Sequence, residues 1–457
     1  MDYNVSMKKI LFGLIILLIA TTYFFYPGSQ QFSSVEGQSS GPYKDIPFPA
    51  TVSAPTGQKP QSKLWYNDNT WWGVLFNSSS GKFEIYSLNW TTQTWSTTGT
   101  LVDDRPRSSA DVLWTGTQLY IASAIAPTAL NPINYYIFVK KYQYDPILKI
   151  YKLISTSTLW NGAVEAVVID IEPAGTLWAT FTYSVNSTDS RSVYISHTDT
   201  NNFDFWIPPY VLPVDNSANL AIDDISTLIA YNGKVGVLWS NQTTQTFYFA
   251  YHTDGAGDSA VDWIPNPPQS DPPKYADDHL NIKSLQADPF GQLYAVVKTS
   301  KNEAFPGSSK PLILLLILDN ATKGGTWSRM TVSTVADNHT RPIVLIDTQN
   351  KQLYVFMTRQ YPGQLNGAIY YKQLNLDNGT QFPAGLGTPF IEFSGPGSPD
   401  SRINNATSTK QNLTGITDLV VVASDDTERF YYHNVIDLPH SPPPSPAFSV
   451  FLPLITR

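Results

Sequence analysis

Short apolar runs separated by polar or glycine turns recur along the chain at a fixed stride. The clearest copies are Gly116-Thr117-Gln118-Leu119-Tyr120, Gly175-Thr176-Leu177-Trp178, Gly233-Lys234-Val235, Gly291-Gln292-Leu293-Tyr294 and Lys351-Gln352-Leu353-Tyr354. Leu119, Leu177, Val235, Leu293 and Leu353 lie 58, 58, 58 and 60 residues apart. Before most of them stands another apolar run: Val112-Leu113-Trp114, Val167-Val168-Ile169, Leu228-Ile229-Ala230 or Ile343-Val344-Leu345-Ile346. Strand, turn, strand is the pattern of a β-hairpin, and the stride predicts one hairpin per repeated unit.

Two weaker copies, at Trp71-Trp72-Gly73-Val74 and Leu419-Val420-Val421-Val422, flank these five at strides of 47 and 66. A four-stranded sheet cannot bury both faces alone, so units of this length must stack on one another around an axis. The expected fold is therefore all-β, a single β-propeller of seven blades, with six blades and an irregular cap as the alternative. Third and fourth strands are read at Tyr86 with Trp95, Tyr136 with Tyr151, Tyr194 with Trp206, Phe247 with Trp263, Leu314 with Trp327 and Tyr370 with Phe382. The last unit has Phe430-Tyr431-Tyr432 as its third strand and then runs into Pro-rich chain. Its fourth strand is expected from the N-terminal stretch Ile46 to Val52, which would close the ring and remove an exposed edge.

Composition narrows the setting. The chain has 457 residues, enough for several average domains, but the single period argues for one ring over residues 46–437. Charged residues make up 14% of the chain, against about 25% in an average domain, and aromatics 13%, the profile of an exported β-protein. A net charge of -8 without a basic cluster argues against a nucleic-acid partner. With no cysteine, disulfides, thiolate metal sites and cysteine nucleophiles are excluded.

The termini supply the address. Residues 1–9, ending in Met7-Lys8-Lys9, read as a cytoplasmic N-terminus, and 10–26 as an apolar signal peptide or signal anchor. Residues 27–45 are Ser, Gln and Gly rich and read as a flexible stalk, while 438–457 form a Pro-rich spacer with an apolar tail. The expectation is an extracellular monomer, either secreted or tethered to the membrane through its N-terminus.

In such a ring the first strand of each blade lines the central channel, and the loops leading into it form one mouth. Those positions carry Lys63, Arg107, Arg341, Arg402 and Lys410 on one side, and Glu165, Asp223, Asp224 and Asp278 on the other. Converging arginines hold a carboxylate or sulfate by paired hydrogen bonds, so Lys63, Arg107, Arg341, Arg402 and Lys410 are candidate ligand-binding residues. Glu165, Asp223 and Asp278 are the candidate catalytic carboxylates. The alternative is that these charges pair with one another across the channel. Doubled carboxylates at Asp103-Asp104, Asp223-Asp224, Asp277-Asp278 and Asp425-Asp426 could take Ca²⁺, though none forms a defined calcium loop. No cofactor is otherwise expected, and no metal site is assigned. His279 and His339 stand at corresponding places and could pair, while Trp65, Trp71 and Trp72 could stack a sugar or pack the core.

This arrangement of arginines facing carboxylates resembles the sialidase-like propeller superfamily. The resemblance implies an arginine triad of Arg107, Arg341 and Arg402 for a sugar carboxylate. It further implies Glu165 as the carboxylate that activates a nucleophile, Asp223, Asp224 or Asp278 as acid, and Tyr275 or Tyr66 as nucleophile. Of the Asp-box turns usual in that superfamily, only Gly324-Gly325-Thr326-Trp327 keeps a half. The chain also resembles uncharacterised exported bacterial propellers in runs such as Leu64-Trp65-Tyr66-Asn67-Asp68, which implies a fold and an address. Three functions follow as expectations: binding of an acidic extracellular ligand such as a glycan, a sialidase-like glycoside hydrolase or lyase, or a protein-interaction scaffold.

Overall fold

The computed structural model describes residues 41–57, 60–126, 135–184, 190–199, 202–284, 291–321, 324–361, 367–392 and 402–439. The apolar segment 10–26, the stalk up to residue 40, most of the Ala124–Asn134 insert and the tail from residue 440 lie outside these.

The strands form six antiparallel sheets, one of which is an eight-stranded sheet made of two successive four-stranded runs. Among the described residues, counted as four-stranded units with two short extra strands beside the third, the sheets make seven blades in chain order. Each stride residue falls on the second strand of its blade and is buried: Leu119, Val235, Leu293 and Leu353 at 0% exposure and Leu177 at 1%. The first strands are Leu64–Asn67, Ser108–Trp114, Val167–Ile171, Ser226–Tyr231, Leu280–Ser284, His339–Asp347 and Ile403–Thr407. Blades six and seven count as one sheet because Gly367 in blade six also pairs with Ile403 in blade seven.

The core lies between the faces of adjacent blades. Blade four contributes Ile229, Phe247 and Phe249 to a cluster with Leu293, Leu314 and Leu316 of blade five, and Val168 and Trp178 of blade three meet Leu228 and Trp239 of blade four. Each fully buried Leu or Phe contributes roughly 1.5–3 kcal/mol. The expected third- and fourth-strand positions hold except at Phe382. That residue is buried between blades five and six from a loop, and the fourth strand of blade six is Thr388–Ile391.

The last blade takes its outer strand from the N-terminus. Tyr43–Pro47 pairs with Phe430–Ile436, three residues earlier than the stretch starting at Ile46 that the sequence suggested. The Asp45 carboxylate accepts from His433 Nδ1 at 2.8 Å, both side chains being buried, and Phe48 N donates to the Arg429 carbonyl at 2.9 Å. Ring closure is completed by Lys63 N and Leu64 N donating to the Ser408 carbonyl, each at 3.1 Å.

The first strand of every blade is an edge strand, apart from the Ile403 pairing in blade seven, so some of its backbone groups face the channel without a strand partner. Side chains from other blades serve them. Asp111, at 0% exposure, accepts from Ser62 N at 2.9 Å and Ile169 N at 2.8 Å, joining blade two to blades one and three. Asp170 accepts from Ala230 N, and Asn281 from Val344 N. The carbonyls are met by cations and an amide: Lys63 Nζ donates to Ala110 O, Lys410 Nζ to Ile169 O, Lys283 Nζ to Thr409 O and Gln61 Nε2 to Val167 O.

Two predictions test this framework. Asp111→Ala leaves two backbone N–H groups without their acceptor and the Lys410 ammonium without its counter-charge, so it should cost about 3–5 kcal/mol in urea unfolding; a loss below about 1 kcal/mol would remove Asp111 from this role. His339 is 0% exposed, neither ring nitrogen has a partner, and burial lowers its pKa to about 3, outweighing the opposite pull of Asp337. The unfolded chain then takes up this proton below about 6.5 while the folded chain does not, so His339 stabilises the fold above that pH. Between about 6.5 and 3 that contribution should fall by roughly 1.4 kcal/mol per pH unit, and His339→Phe should flatten the slope by this amount.

Candidate functional site

The channel has two mouths with different chemistry. At the mouth where the chain enters each first strand, Arg341 is the central cation. It sits in the left-handed region at φ 50°, where the register of its strand shifts between Thr340 and Ile343. Such a bulge puts an extra residue in one strand and re-aims its side chain. Pro342 lies inside the same shift. Burial lowers the Arg341 pKa, opposed by the charges of Asp278, Asp277, Asp426 and Glu165, in that order. Carboxylates of blades five, seven and three thus act on one guanidinium.

A second arginine completes the cluster. Arg191, in the third strand of blade three, holds Nη1 4.0 Å from Glu165 Oε2, with side chains 10% and 19% exposed. That Nη1 is buried without a hydrogen-bond partner. Burial lowers the Arg191 pKa, against Glu165, Asp223 and Asp224. The sequence reading missed Arg191 because the loop before it has no fixed stride; its alignment with the mouth comes from strand register alone.

Blade five supplies a compact charge cluster. His279 Nδ1 lies within hydrogen-bond reach of both Asp277 and Asp278, and Lys298 Nζ donates to Asp277. His279 Nε2 faces the Thr340 hydroxyl at 3.4 Å, next to Arg341. Ligand atoms of Asp277, Asp278 and His279 lie within 4.8 Å of one another, close enough to hold a cation. The donor set fits a hydrogen-bonded cluster better, because the Lys298 ammonium already occupies Asp277 and the imidazole faces both carboxylates. His339 is buried in blade six and does not join His279. At the other doubled carboxylates one Asp ties down its loop: Asp103 binds Arg105, Asp224 accepts from Ala221 N and Gln242 N, and Asp425 accepts from Thr427 N and Glu428 N.

The five cations expected together are separated. Arg107 is exposed in the loop before blade two. Arg402 is also exposed, and its backbone N donates to Asp425 Oδ2. Pairing of Thr340 with Thr358 and of Asn404 with Ser424 makes Asn405, not Arg402, the counterpart of Arg341, with the same left-handed backbone at φ 56°. Lys63 and Lys410 belong to the interior of the channel, where backbone carbonyls need donors. Lys63 is 2% exposed and also donates to Gln61 Oε1 and Ser109 Oγ, and Lys410 pairs with Asp111 at 2.5 Å. Asp223 is exposed and accepts from Gln242 Nε2.

The tyrosines suggested as nucleophiles are bound elsewhere. Tyr275 is 1% exposed among Phe247 and other apolar residues, and its hydroxyl accepts from Arg329 Nη1. Tyr66 donates to the Ile416 carbonyl at 3.0 Å. Trp65, Trp71 and Trp72 are each 1% exposed and pack the core. In the half Asp-box turn, a Cβ on Gly325 would meet the Asp319 carbonyl at 1.9 Å, so only glycine fits there.

The opposite mouth, at the hairpin turns between first and second strands, opens into a cavity of about 790 Å³. Lys283, Lys410 and Asp170 line it together with the turns at Gly116, Gly175 and Asn232. Burial draws the Lys283 pKa down to about 7, helped by Lys410 and opposed by Asp111 and Asp170. The Lys63 pKa is also lowered to about 7 by burial, with Asp111 acting against it.

The Arg341 bulge yields a direct test of backbone against side chain. Arg341→Gly removes the guanidinium and suits a positive φ, so unfolding stability should stay within about 1 kcal/mol of the parent. Arg341→Ala should be the less stable of the two by a similar amount, and the reverse order would show that the bulge does not set this residue's conformation.

No protein-family model matches the chain, and no curated protein matches its sequence. Among solved structures it is similar to an α-L-arabinanase of Penicillium chrysogenum at 13% identity, with 75% of this chain and 99% of that one covered and a TM-score of 0.45. It is also similar to the α-L-arabinofuranosidase Arb93A of Fusarium graminearum at 9% identity, covering 76% and 100%, TM-score 0.46. For the polysaccharide lyase Uly1 the identity is 9%, the coverage 89% and 100%, and the TM-score 0.45. The strand topology, rather than these distant likenesses, carries the fold: the chain is a β-propeller.

Proposed function

We propose that this chain is an exported propeller that binds an acidic extracellular ligand, a glycan bearing a carboxylate or sulfate, at the Arg341 mouth. Arg341 and Arg191 hold the anionic group, and Glu165, Asp223 and Asp278 face the sugar hydroxyls. The observation that carries this reading is the buried Arg191 Nη1 with no hydrogen-bond partner, 4.0 Å from Glu165, a carboxylate that also acts on Arg341. A buried guanidinium donor left unmatched is costly, and an anionic oxygen supplies the missing acceptor. Arg107 and Arg402, exposed at the rim, would contact more distal parts of a longer chain.

A catalytic reading uses the same groups. Glu165 and Asp278 both act on Arg341 from different blades, an arrangement open to a sialidase-like hydrolase or a lyase. For a glycosidase the two carboxyl groups would need to stand about 5–10 Å apart across the sugar. With Tyr275 and Tyr66 engaged elsewhere, such a reaction would have to use a carboxylate or water in place of a tyrosine.

A glycan array carrying sialylated, uronate, sulfated and neutral sugars, read at early and late times, tests both readings. The expected outcome is retention on acidic spots, weakened about 10–100-fold by Arg341→Gly or Arg191→Leu, the loss of a charge-assisted bidentate contact. Signal fading on a subset of spots, abolished by Glu165→Gln, would indicate cleavage. Retention on neutral sugars alone, or binding indifferent to both arginines, would overturn the proposal, and an empty array would turn the search to protein partners.

A further inference from the structure

Hairpin turns between first and second strands, and between third and fourth strands, lie at the same end of the blades, opposite the Arg341 mouth. Several hydrogen bonds join the two sets of turns there: Tyr144 Oη donates to Asp68 Oδ2 at 2.6 Å, and Asp254 N to the Gly233 carbonyl at 2.9 Å. Five large apolar side chains are exposed at turns of this end: Trp90 at 39%, Ile147 at 90%, Leu148 at 59%, Val261 at 88% and Ile416 at 72%.

The blade-two turn is the most developed. Asp145 Oδ1 accepts from Ile147 N and Leu148 N, both at 3.0 Å, so the two apolar residues are presented by an ordered turn. Leu153 and Ile154 continue the apolar surface along the outer strand at 49% and 57% exposure. Lys149 and Lys152 flank the turn and are exposed, Lys152 pairing with Asp145 Oδ2 at 2.6 Å, and Lys141 lies on the preceding strand beside Lys140, which donates to the Val102 carbonyl. This is a local excess of positive charge in a chain whose net charge is -8. Elsewhere the end is not basic, since Asp254, Asp258 and Asp262 surround Val261.

Both ends of the described chain reach this same end of the ring. Gly41 N donates to Asn434 Oδ1 at 2.9 Å, near the close of the last blade's third strand, and the N-terminal strand runs from there toward the Arg341 mouth. At the other terminus, the Pro439 carbonyl accepts from Asn350 Nδ2, in the first hairpin turn of blade six. The chain that precedes Gly41 includes the apolar run from Ile10 to Ala20.

We propose that this end of the propeller, centred on Ile147 and Leu148 of blade two with Trp90 of blade one, docks on an anionic lipid surface. Apolar turn residues enter the headgroup boundary while Lys149 and Lys152 meet lipid phosphates, and tryptophan favours the same interface. The Arg341 mouth then faces away from the bilayer, open to extracellular ligands. This orientation is independent of what that mouth binds.

The absence of cysteine from the chain makes the test direct. The full chain is reconstituted in vesicles of phosphatidylcholine with phosphatidylserine, carrying a fluorophore at Ile147→Cys or, as control at the opposite mouth, at Asp104→Cys. Quenching by nitroxide lipids and a blue shift are expected at position 147 and not at 104. Lys149→Glu with Lys152→Glu should reduce the docked population, each reversal weakening the contact at least about fivefold. Near-UV circular dichroism of the variants checks that the ring is intact. Quenching at neither position, or at 104 in place of 147, overturns the proposal, as does quenching at 147 that is unchanged by the charge reversals.

Discussion

A propeller has to solve a problem that a barrel avoids: the inner strand of every blade is an edge, and its backbone faces a narrow channel. In this chain the answer is a set of side chains that reach across blade boundaries. Asp111, Asp170 and Asn281 accept from backbone N–H groups of neighbouring blades, while Lys63, Lys283, Lys410 and Gln61 donate to carbonyls. The blades are thereby held in register at the axis, where the apolar clusters between their outer faces cannot act. Charges that look like ligand-binding candidates in the sequence are, in the channel interior, the donors and acceptors of the ring itself.

What distinguishes the Arg341 mouth is that its charges meet chiefly one another, as in the Asp277, Asp278, His279 and Lys298 cluster, rather than the backbone of the inner strands. Arg341 is carried on a bulge that abandons regular pairing, and Arg191 reaches in from the third strand of another blade. Around them Glu165 of blade three, Asp277 and Asp278 of blade five and Asp426 of blade seven come from loops that differ from one blade to the next. The scaffold repeats, and the mouth does not. A ring can therefore keep its stability in the channel and place its specificity in the loops.

The stride was legible because second strands are buried on both faces, so Leu119, Leu177, Val235, Leu293 and Leu353 cannot drift. Partners further out were legible from aromatic residues that fill the space between blades, such as Trp95, Trp206 and Trp263. Phe382 misled because a buried aromatic can reach the same cluster from a loop. The strand closing the ring could be foreseen from the missing fourth strand of the last blade, but its register could not, since the buried Asp45 and His433 pair that fixes it joins opposite ends of the sequence. Lys63 and Lys410 were misplaced for a related reason: spacing reveals which strand a residue precedes or follows, not how deep it sits along the axis. Strand pairing likewise makes Asn405, three residues beyond Arg402, the counterpart of Arg341, both lying in the same kind of bulge, and nothing in the local sequence announces it.

Closure of the last blade by the N-terminal strand has a consequence for how the chain reaches its folded form. Gly41 and Asn434, in contact in the finished ring, are 393 residues apart in sequence. Contacts of such long separation carry a large loop-closure cost and form late. An emerging chain can assemble blade after blade, yet the ring stays open until its final strands are made, because the first strand has no partner before then. The propeller is thus sealed only after the strand Phe430–Ile436 has been made, and until then the edge of its last blade stays exposed.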